Sequence, residues 1–422
     1  LGTHTQNREP ILNLEYFIAR RLINANGRKS NISAPIIKIA ISAIAIGMVM
    51  MIISVATGLG LQQKIREKVS AFNGHIIISN YDENTSDVSV KPISIHQDFY
   101  PRFKNVNGIR HIQAVASKAG IIRTETAFEG IILKGVGKDY DFSNLREFLI
   151  SGKLPDFSGN LNNEILISEY LAKRLNLKTG DKFSTYFMKD GGNGLPNLRV
   201  FHVCGVYNSG FQEFDSNYII GDIRHIQRLN KWGADQIGQF EVFLDDFNRI
   251  ETKGDEVYKQ TPSTLNTKTI VQKYYYIFEW LKLFDFNIFV ILIVMIVVST
   301  INMVVALLVL ILERTQMIGI LKAVGAANWS VRKIFLYNAF YLILRGLFWG
   351  NLIGISMILV QQHFGIVKLD PASYYVTEAP VYLSWDYILL LNLGTIIICL
   401  VVLLIPSYII TKISPVKAIR FD

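Results

Sequence analysis

Residues 39–61 and 288–312 contain no charged side chain, and each is long enough to cross the hydrocarbon core of a bilayer as a helix. Such a crossing needs about 20 apolar residues at a rise of about 1.5 Å each. Inside lipid every backbone N–H and C=O must be satisfied within the spanning structure, so runs of this kind fold as helices. Two further runs meet the same requirement: 334–360, with one charge at Arg345, and 387–410, with Pro406 near its end. Trp385 and Tyr387 open the last run with the amphipathic rings favoured in the headgroup layer. The chain is therefore expected to be a membrane protein of four transmembrane helices.

Composition agrees. Half of the 422 residues are hydrophobic and 18% are charged, few for a soluble protein of this length. The net charge is +9. No stretch interleaves Lys and Arg with stacking aromatics, so the excess base is read as basic membrane edges and no nucleic-acid partner is expected. Cys204 sits in a strand-like segment and Cys399 in an apolar run. They read as small buried side chains, with neither a disulfide framework nor a metal site implied.

Lys and Arg in the flanks set the orientation. Arg8, Arg20, Arg21, Arg28, Lys29 and Lys38 precede the first span; Arg314, Lys322, Arg332 and Lys333 lie between the second and third; Lys412, Lys417 and Arg420 follow the fourth. The connection between the third and fourth has Lys368 against Asp370, Glu378 and Asp386. Both termini and the loop 313–333 are thus expected in the cytoplasm. The expected organisation is a cytoplasmic amphipathic helix within 1–38, spans at 39–61, 288–312, 334–360 and 387–410, a large outer domain at 62–287, an inner loop at 313–333, a short outer loop at 361–386 and a tail at 411–422.

The outer segment reads as an α+β domain. Strand patterns recur at 74–81, 129–137, 200–207, 216–222 and 239–246, and 168–177 has helical spacing with Ser168 as cap and Gly180-Asp181 as the following turn. The strands near both ends of the segment are expected to form one part, with the middle inserted as a second. No Gly or Pro interrupts the chain from Tyr274 to Leu312, so the second span is expected to extend as one helix above the bilayer. The N-terminal segment 12–23 mixes apolar residues with Glu15, Arg20 and Arg21 and is expected to lie along the inner membrane surface, the alternative being a solvated helix flank.

Catalytic signatures are missing. There is no G-x-x-x-x-G-K-[ST] phosphate loop, no H-E-x-x-H and no G-x-S-x-G, and the histidines at 4, 75, 96, 111, 202, 225 and 363 are scattered. No catalytic residue and no cofactor is assigned. Spans almost free of ionisable groups are poor material for an ion-coupled carrier. Any energy source is expected in a separate subunit.

The inner loop, ERTQMIGILKAVGAANWSVRKIF, then needs a purpose. Met317, Ile318, Leu321 and Val324 recur at helical spacing beside Arg314 and Lys322, and Gly325 closes the pattern. A short amphipathic helix follows, either inserting its apolar face into a cytoplasmic partner or covering lipid.

This loop resembles the E-R-x-x-x-I-x-x-L-[KR]-x-[VL]-G-A segment of FtsX/MacB-type ABC permeases, with Glu313, Arg314, Ile318, Leu321, Lys322, Gly325 and Ala326 at the pattern positions. The C-terminal PSYIITKISPVKAIRFD is similar to the family's closing motif, keeping Pro406, Pro415 and Arg420 while Ile410 replaces an alanine. Further segments resemble the lipoprotein-releasing (Lol) permeases: LNLEYFIARRLI, NGHIIISNYD, the stretch from Gly194 to Asn230, and SYYVTEAPVYLSWDYIL with Tyr374 and Pro380. The resemblance implies a MacB-like outer domain and makes the inner loop the coupling helix that meets an ATPase. It implies a bacterial inner-membrane location and a permease dimer, of like or paired subunits, on a LolD-like ABC ATPase. The substrate would be a lipoprotein, drawn from the outer leaflet among membrane lipids and handed to a LolA-like periplasmic carrier. The alternatives are export of peptides or drugs, an FtsX-like regulator of a cell-wall hydrolase, and a membrane sensor or scaffold without an ATPase.

Three other groups stand out. Gly346, Gly350 and Gly354 recur every four residues in the third span, a pattern that lets helix backbones approach. Arg345 lies about 16 Å along that span from Ile334, at a depth similar to Asn302 on the second span, near Ser299 and Thr300. It is expected to face this polar cluster or a lipid headgroup, the alternative being a side chain that snorkels to phosphate. The excursion 188–199 contains Gly194, Leu195, Pro196 and Arg199. By itself it reads as a hairpin loop; the Lol resemblance implies a hook that captures the carrier.

Overall fold

The computed structural model describes residues 14–25, 33–81, 87–125, 127–189 and 195–414. Among them four helices are long and apolar enough to cross a membrane. The labelled helices are α1 (Leu14–Ala25), α2 (Ser33–Asn73), α3 (Tyr275–Glu313), α4 (Thr315–Ala323), α5 (Asn328–Phe364), α6 (Trp385–Ser407) and α7 (Ile409–Lys412). The described residues fall into two compact units. One lies within Leu1–Leu61, Lys282–Val367 and Ala379–Asp422, the other within Gln62–Leu281 and Lys368–Glu378.

In the membrane unit α2 is the central helix. Half of its most apolar stretch is buried within the chain, against 17% for α3. Its core joins Ile44, Met48 and Ile52 to Met303 and Leu307 of α3, Phe335 and Ile343 of α5, and Cys399 and Leu403 of α6. Lipid tails are as apolar as these side chains, so the helices are held by close packing and interhelical hydrogen bonds. Gly47 supplies one approach: a Cβ there would stand 2.5 Å from Ser299 Oγ. Asn351 and Asn392 supply a polar clasp, exchanging Nδ2–H···Oδ1 bonds of 2.7 and 3.0 Å between α5 and α6. The helix α1 packs on the first turns of α5, with Ala19 buried, Tyr16 edge-on to Tyr337 and Glu15 3.9 Å from Lys333. One face of α1 is thus taken by the chain itself, while Phe17 and Arg21 stay exposed. The long helix α3 starts one residue later than the sequence suggested. Tyr274 (φ −107°, ψ 44°) ends a short helix at Ile270–Lys273, and α3 then runs 39 residues unbroken.

The second unit is built on one sheet. Its strands are β1 (Ile76–Asn80), β2 (Ile93–Ser94), β3 (Ile109–Arg123), β4 (Phe128–Val136), β5 (Leu149–Gly152), β6 (Glu164–Ser168), β7 (Lys182–Phe187), β8 (Asn197–Tyr207), β9 (Tyr218–Asp222), β10 (Gln236–Ile237), β11 (Gln239–Leu244) and β12 (Leu265–Thr269). Ten of them form the order β12-β1-β11-β3-β4-β9-β6-β8-β5, with β7 paired to β3 and β8; β2 and β10 form a separate pair. The expected split into two parts is therefore corrected. End strands and middle strands do segregate, but the parallel pairing of β4 with β9 joins them in one sheet. Ser168 caps the helix Glu169–Arg174 by accepting from Leu171 N–H, and Gly180 turns the chain at φ +97°.

Two buried groups tie elements of this unit together. Lys134 Nζ donates to the carbonyl of Phe72, in the last turn of α2, and lies 2.6 Å from Glu241 Oε1, with both side chains almost fully buried. Gln113 Nε2 completes the carboxylate at 2.8 Å. Burial pushes the Lys134 pKa down while Glu241 opposes the shift. Next to the end of α2, His75 Nδ1 accepts the backbone N–H of Leu244 at 2.7 Å. Burial, aided by Arg110, lowers its pKa to about 4.

Residues 368–378 belong to the sheet unit although they lie between the third and fourth spans. Tyr375, at φ +60°, stacks on Phe211 with centroids 4.8 Å apart and stands edge-on to Trp280. Its carbonyl accepts from Lys68 Nζ at 3.2 Å. Desolvation lowers the Lys68 pKa to about 8, against the attraction of Asp215.

Candidate functional site

The segment from Glu313 to Trp329 is a helix between two turns. α3 stops at Glu313, Arg314 leaves helical geometry (φ −105°, ψ 19°), and Thr315 Oγ1 closes the end by donating to the Leu312 carbonyl at 2.7 Å. α4 follows, and Gly325 at φ +97° reverses the chain into α5. Only glycine takes that conformation without a Cβ penalty.

The faces of α4 differ from the sequence expectation. Ile318 is fully buried, and Met317, Leu321 and Ala326 pack on the same core as the spans. Of the stripe read as a surface for a partner or for lipid, Met317, Ile318 and Leu321 are taken up by the chain itself and Val324 is left outside. α4 and its following turn leave Gln316, Ile320, Ala323, Val324 (84% exposed), Gly325 and Ala327 outside, with Glu313 exposed just before and Trp329 half exposed just beyond. Lys322 also points inward: its Nζ donates to the carbonyls of Ile410, Thr411 and Ile413 at 2.6, 3.2 and 3.0 Å. Desolvation lowers its pKa. Arg332 stacks over Trp329 at 5.0 Å, donating from Nε to Ser407 Oγ at 3.0 Å and from Nη2 to the Leu404 carbonyl at 2.9 Å. Of the motif residues, Glu313 and Gly325 remain exposed, Arg314 is half-buried, and Ile318, Leu321, Lys322 and Ala326 face their own chain. The spacing gave no hint of Trp329 or Ile320, since neither falls on the periodic stripe.

The glycines of α5 lie along α2. A Cβ on Gly346 would stand 2.7 Å from Ile44 Cβ, one on Gly350 2.6 Å from Met48 Cβ, and one on Gly354 3.2 Å from Ile52 Cδ1. Both series rise by four, so the two helices run parallel. Arg345 does not face Ser299 and Thr300, which is a correction. Its guanidinium is exposed and lies 4.5 Å from the centroid of Tyr341, one turn back on α5. Ser299 and Thr300 are buried, with Thr300 Oγ1 3.6 Å from Cys399 Sγ, while Asn302 Nδ2 turns back to the Val298 carbonyl at 2.9 Å.

In the sheet unit β7 and β8 form an antiparallel hairpin, with Phe187 opposite Asn197, so 188–196 is its connection. Gly194 lies outside the described residues. Leu195 is 84% exposed and Pro196 is exposed, while Arg199 is half-buried, opposite Thr185, with Nη1 donating to the Leu198 carbonyl at 2.9 Å. Because β3 also pairs with β7, the tip of the β3–β4 hairpin comes alongside. An open cleft of about 590 Å³ is lined there by Ile121, Arg123, Glu125, Phe128, Tyr186, Met188 and Pro196. Phe128 is 75% exposed there.

Two family models match the chain: "FtsX-like permease C-terminal" over residues 289–415 and "MacB-like periplasmic core domain" over 39–257. The lipoprotein-releasing system transmembrane protein LolE of Haemophilus influenzae is 20% identical over 97% of this chain and 99% of its own length. LolC of Neisseria meningitidis serogroup B is 22% identical over 98% of this chain and all of its own length. The crystal structure of the periplasmic region of MacB from Actinobacillus actinomycetemcomitans aligns with 46% of this chain and 88% of that one, at 16% identity and a TM-score of 0.33. With one family model covering more than half of the sequence, a second covering most of the remainder, and the spans and α+β domain that both describe, the chain belongs to the FtsX/MacB-type ABC transporter permeases.

Proposed function

We propose that this chain is the permease subunit of a lipoprotein-releasing complex of the bacterial inner membrane. It draws acylated proteins from the outer leaflet and passes them to a soluble periplasmic carrier, driven by ATP hydrolysis in a separate LolD-like subunit. The observation that carries the reading is the end-to-end likeness to permeases named for lipoprotein release. The basic flanks support cytoplasmic termini and a cytoplasmic α4. In that orientation the ATPase meets the outward face of α4: Glu313, Ile320, Val324, Gly325 and Trp329. A second permease subunit is supported by α3, whose Phe289, Ile293, Val297 and Ile301 stay exposed along one side. The unbroken α3 is suited to carry motion from the inner face outward.

The carrier is assigned to the hairpin tips, where Leu195, Pro196 and Phe128 offer apolar contact beside Arg123 and Arg199. Deleting 190–197 is expected to abolish carrier binding and to leave ATP hydrolysis coupled to the permease.

The test is reconstitution. The chain, purified from its native membrane with its associated subunits and placed in liposomes with an acylated protein, should release that protein to a LolA-like carrier only with ATP. Isolation without an ATPase, or hydrolysis with release of peptides or drugs but no acylated protein, would overturn the reading.

A further inference from the structure

Lys322 is fastened in a way its motif position does not suggest. An ammonium has three N–H donors, and here its Nζ reaches three backbone carbonyls, those of Ile410, Thr411 and Ile413. These lie at the end of the single turn α7, whose last carbonyls run out of helical partners, although Ile410 O also accepts from Ile413 N–H at 3.4 Å. α7 follows the fourth span across Pro406, which lacks an N–H and so removes one rung of the ladder. Arg332 holds the same turn through the Leu404 carbonyl and Ser407 Oγ, and Ser407 Oγ itself donates to Leu404 O at 2.8 Å. Ile318 of α4 and Ile410 of α7, both fully buried, belong to one core cluster. Two cations, Lys322 on α4 and Arg332 on the first turns of α5, therefore join this region to residues 404–413.

We propose that Lys322 is a positioning residue that ties α4 to the inner end of the fourth span, so that a displacement imposed on α4 is delivered to α6 through α7. The loop motif and the start of the closing motif are then parts of one device, with Lys322 as the link that α4 itself supplies. This rests on the reading of α4 as the segment that receives the ATPase. Without the ammonium, α4 would pull on α3 and α5 through the chain while α6 lagged behind.

The first experiment needs no ATPase. Lys322→Met keeps the stem and its volume but removes the donors. In the purified full chain, amide hydrogen exchange at 409–414 should become about ten-fold faster or more, as expected for lost charge-assisted hydrogen bonds. Lys322→Arg should restore it. The second uses the reconstituted complex and reads acylated protein released per ATP hydrolysed. That ratio should fall about ten-fold in Lys322→Met and return to within about two-fold in Lys322→Arg, a rescue expected of a second cation able to donate to carbonyls. Unchanged exchange, or an unchanged ratio, would overturn the proposal. So would a Lys322→Met complex whose only defect is lost ATPase binding, since that marks a docking residue. An ATPase missing from the wild-type complex would sink the proposed function and leave the exchange result to be read by itself.

Discussion

A Cβ placed on Gly350 would stand 2.6 Å from the Cβ of Met48 and 2.9 Å from the Ala45 carbonyl oxygen. Neither neighbour is the free end of a flexible chain, so α2 and α5 would have to separate to admit even a methyl group. Gly350→Ala is expected to destabilise the protein by about 1–3 kcal/mol, the usual cost of overpacking. Gly354→Ala, with 3.2 Å to the movable Ile52 Cδ1, should cost less. Gly394→Ala, with nothing within 4 Å, should be neutral. Thermal unfolding of the three variants in detergent checks the ranking, and equal midpoints would contradict the close approach.

The exposed position of Arg345 over Tyr341 leads to a different expectation. Its cation–π contact is worth about 0.5–2 kcal/mol, against about 2.5–3.5 kcal/mol to bring an Arg to mid-bilayer. Arg345→Leu should therefore keep thermal stability within about 1 kcal/mol of wild type or raise it, with release activity retained. A large loss in either measurement would mean that the guanidinium serves a partner.

Lys134 and Glu241 are buried together, and removing one partner strands the other's charge. Lys134→Met is expected to cost about 3–5 kcal/mol, whereas Lys134→Met combined with Glu241→Leu should recover much of it. Chemical denaturation followed through a probe in the sheet unit measures both. A double variant no better than the single one would show that the Phe72 carbonyl and Gln113, left without their partners, carry the cost.

His75 links stability to pH. Its pKa is depressed from 6.5 to about 4, so the folded state prefers the neutral ring. Its contribution is fully present above pH 6.5 and is lost as the pH falls towards 4, because the unfolded state takes up the proton first. The displacement corresponds to about 3 kcal/mol. The unfolding midpoint should drop over that interval, and His75→Gln should flatten the drop, since its amide oxygen can still accept from Leu244 N–H. Equal slopes in both proteins would refute the assignment.

Much of the architecture was legible because it rests on periodicity. Uncharged runs marked the spans, and alternating apolar residues marked β1, β4, β8, β9 and β11. Contacts between distant segments left no such trace. The stripe of Met317, Ile318, Leu321 and Val324 identified a helix face but not its neighbour: the first three meet the chain's own core and Val324 does not. Depth could be counted for Arg345 but not direction. Gly346 faces α2, and each residue turns a helix by about 100°, so Arg345 points elsewhere. Asn351 and Asn392 lie 41 residues apart in separate apolar runs, and only the packing of α5 on α6 makes them a pair.

The strap at 368–378 bears on how this protein can be dissected. Anyone excising the soluble portion as the single stretch from Gln62 to Leu281 would discard Tyr375 along with it. Phe211 would lose the ring stacked on it, and Lys68 would be deprived of its carbonyl acceptor. A faithful fragment must carry the strap as well, grafted through a linker or supplied as a separate peptide.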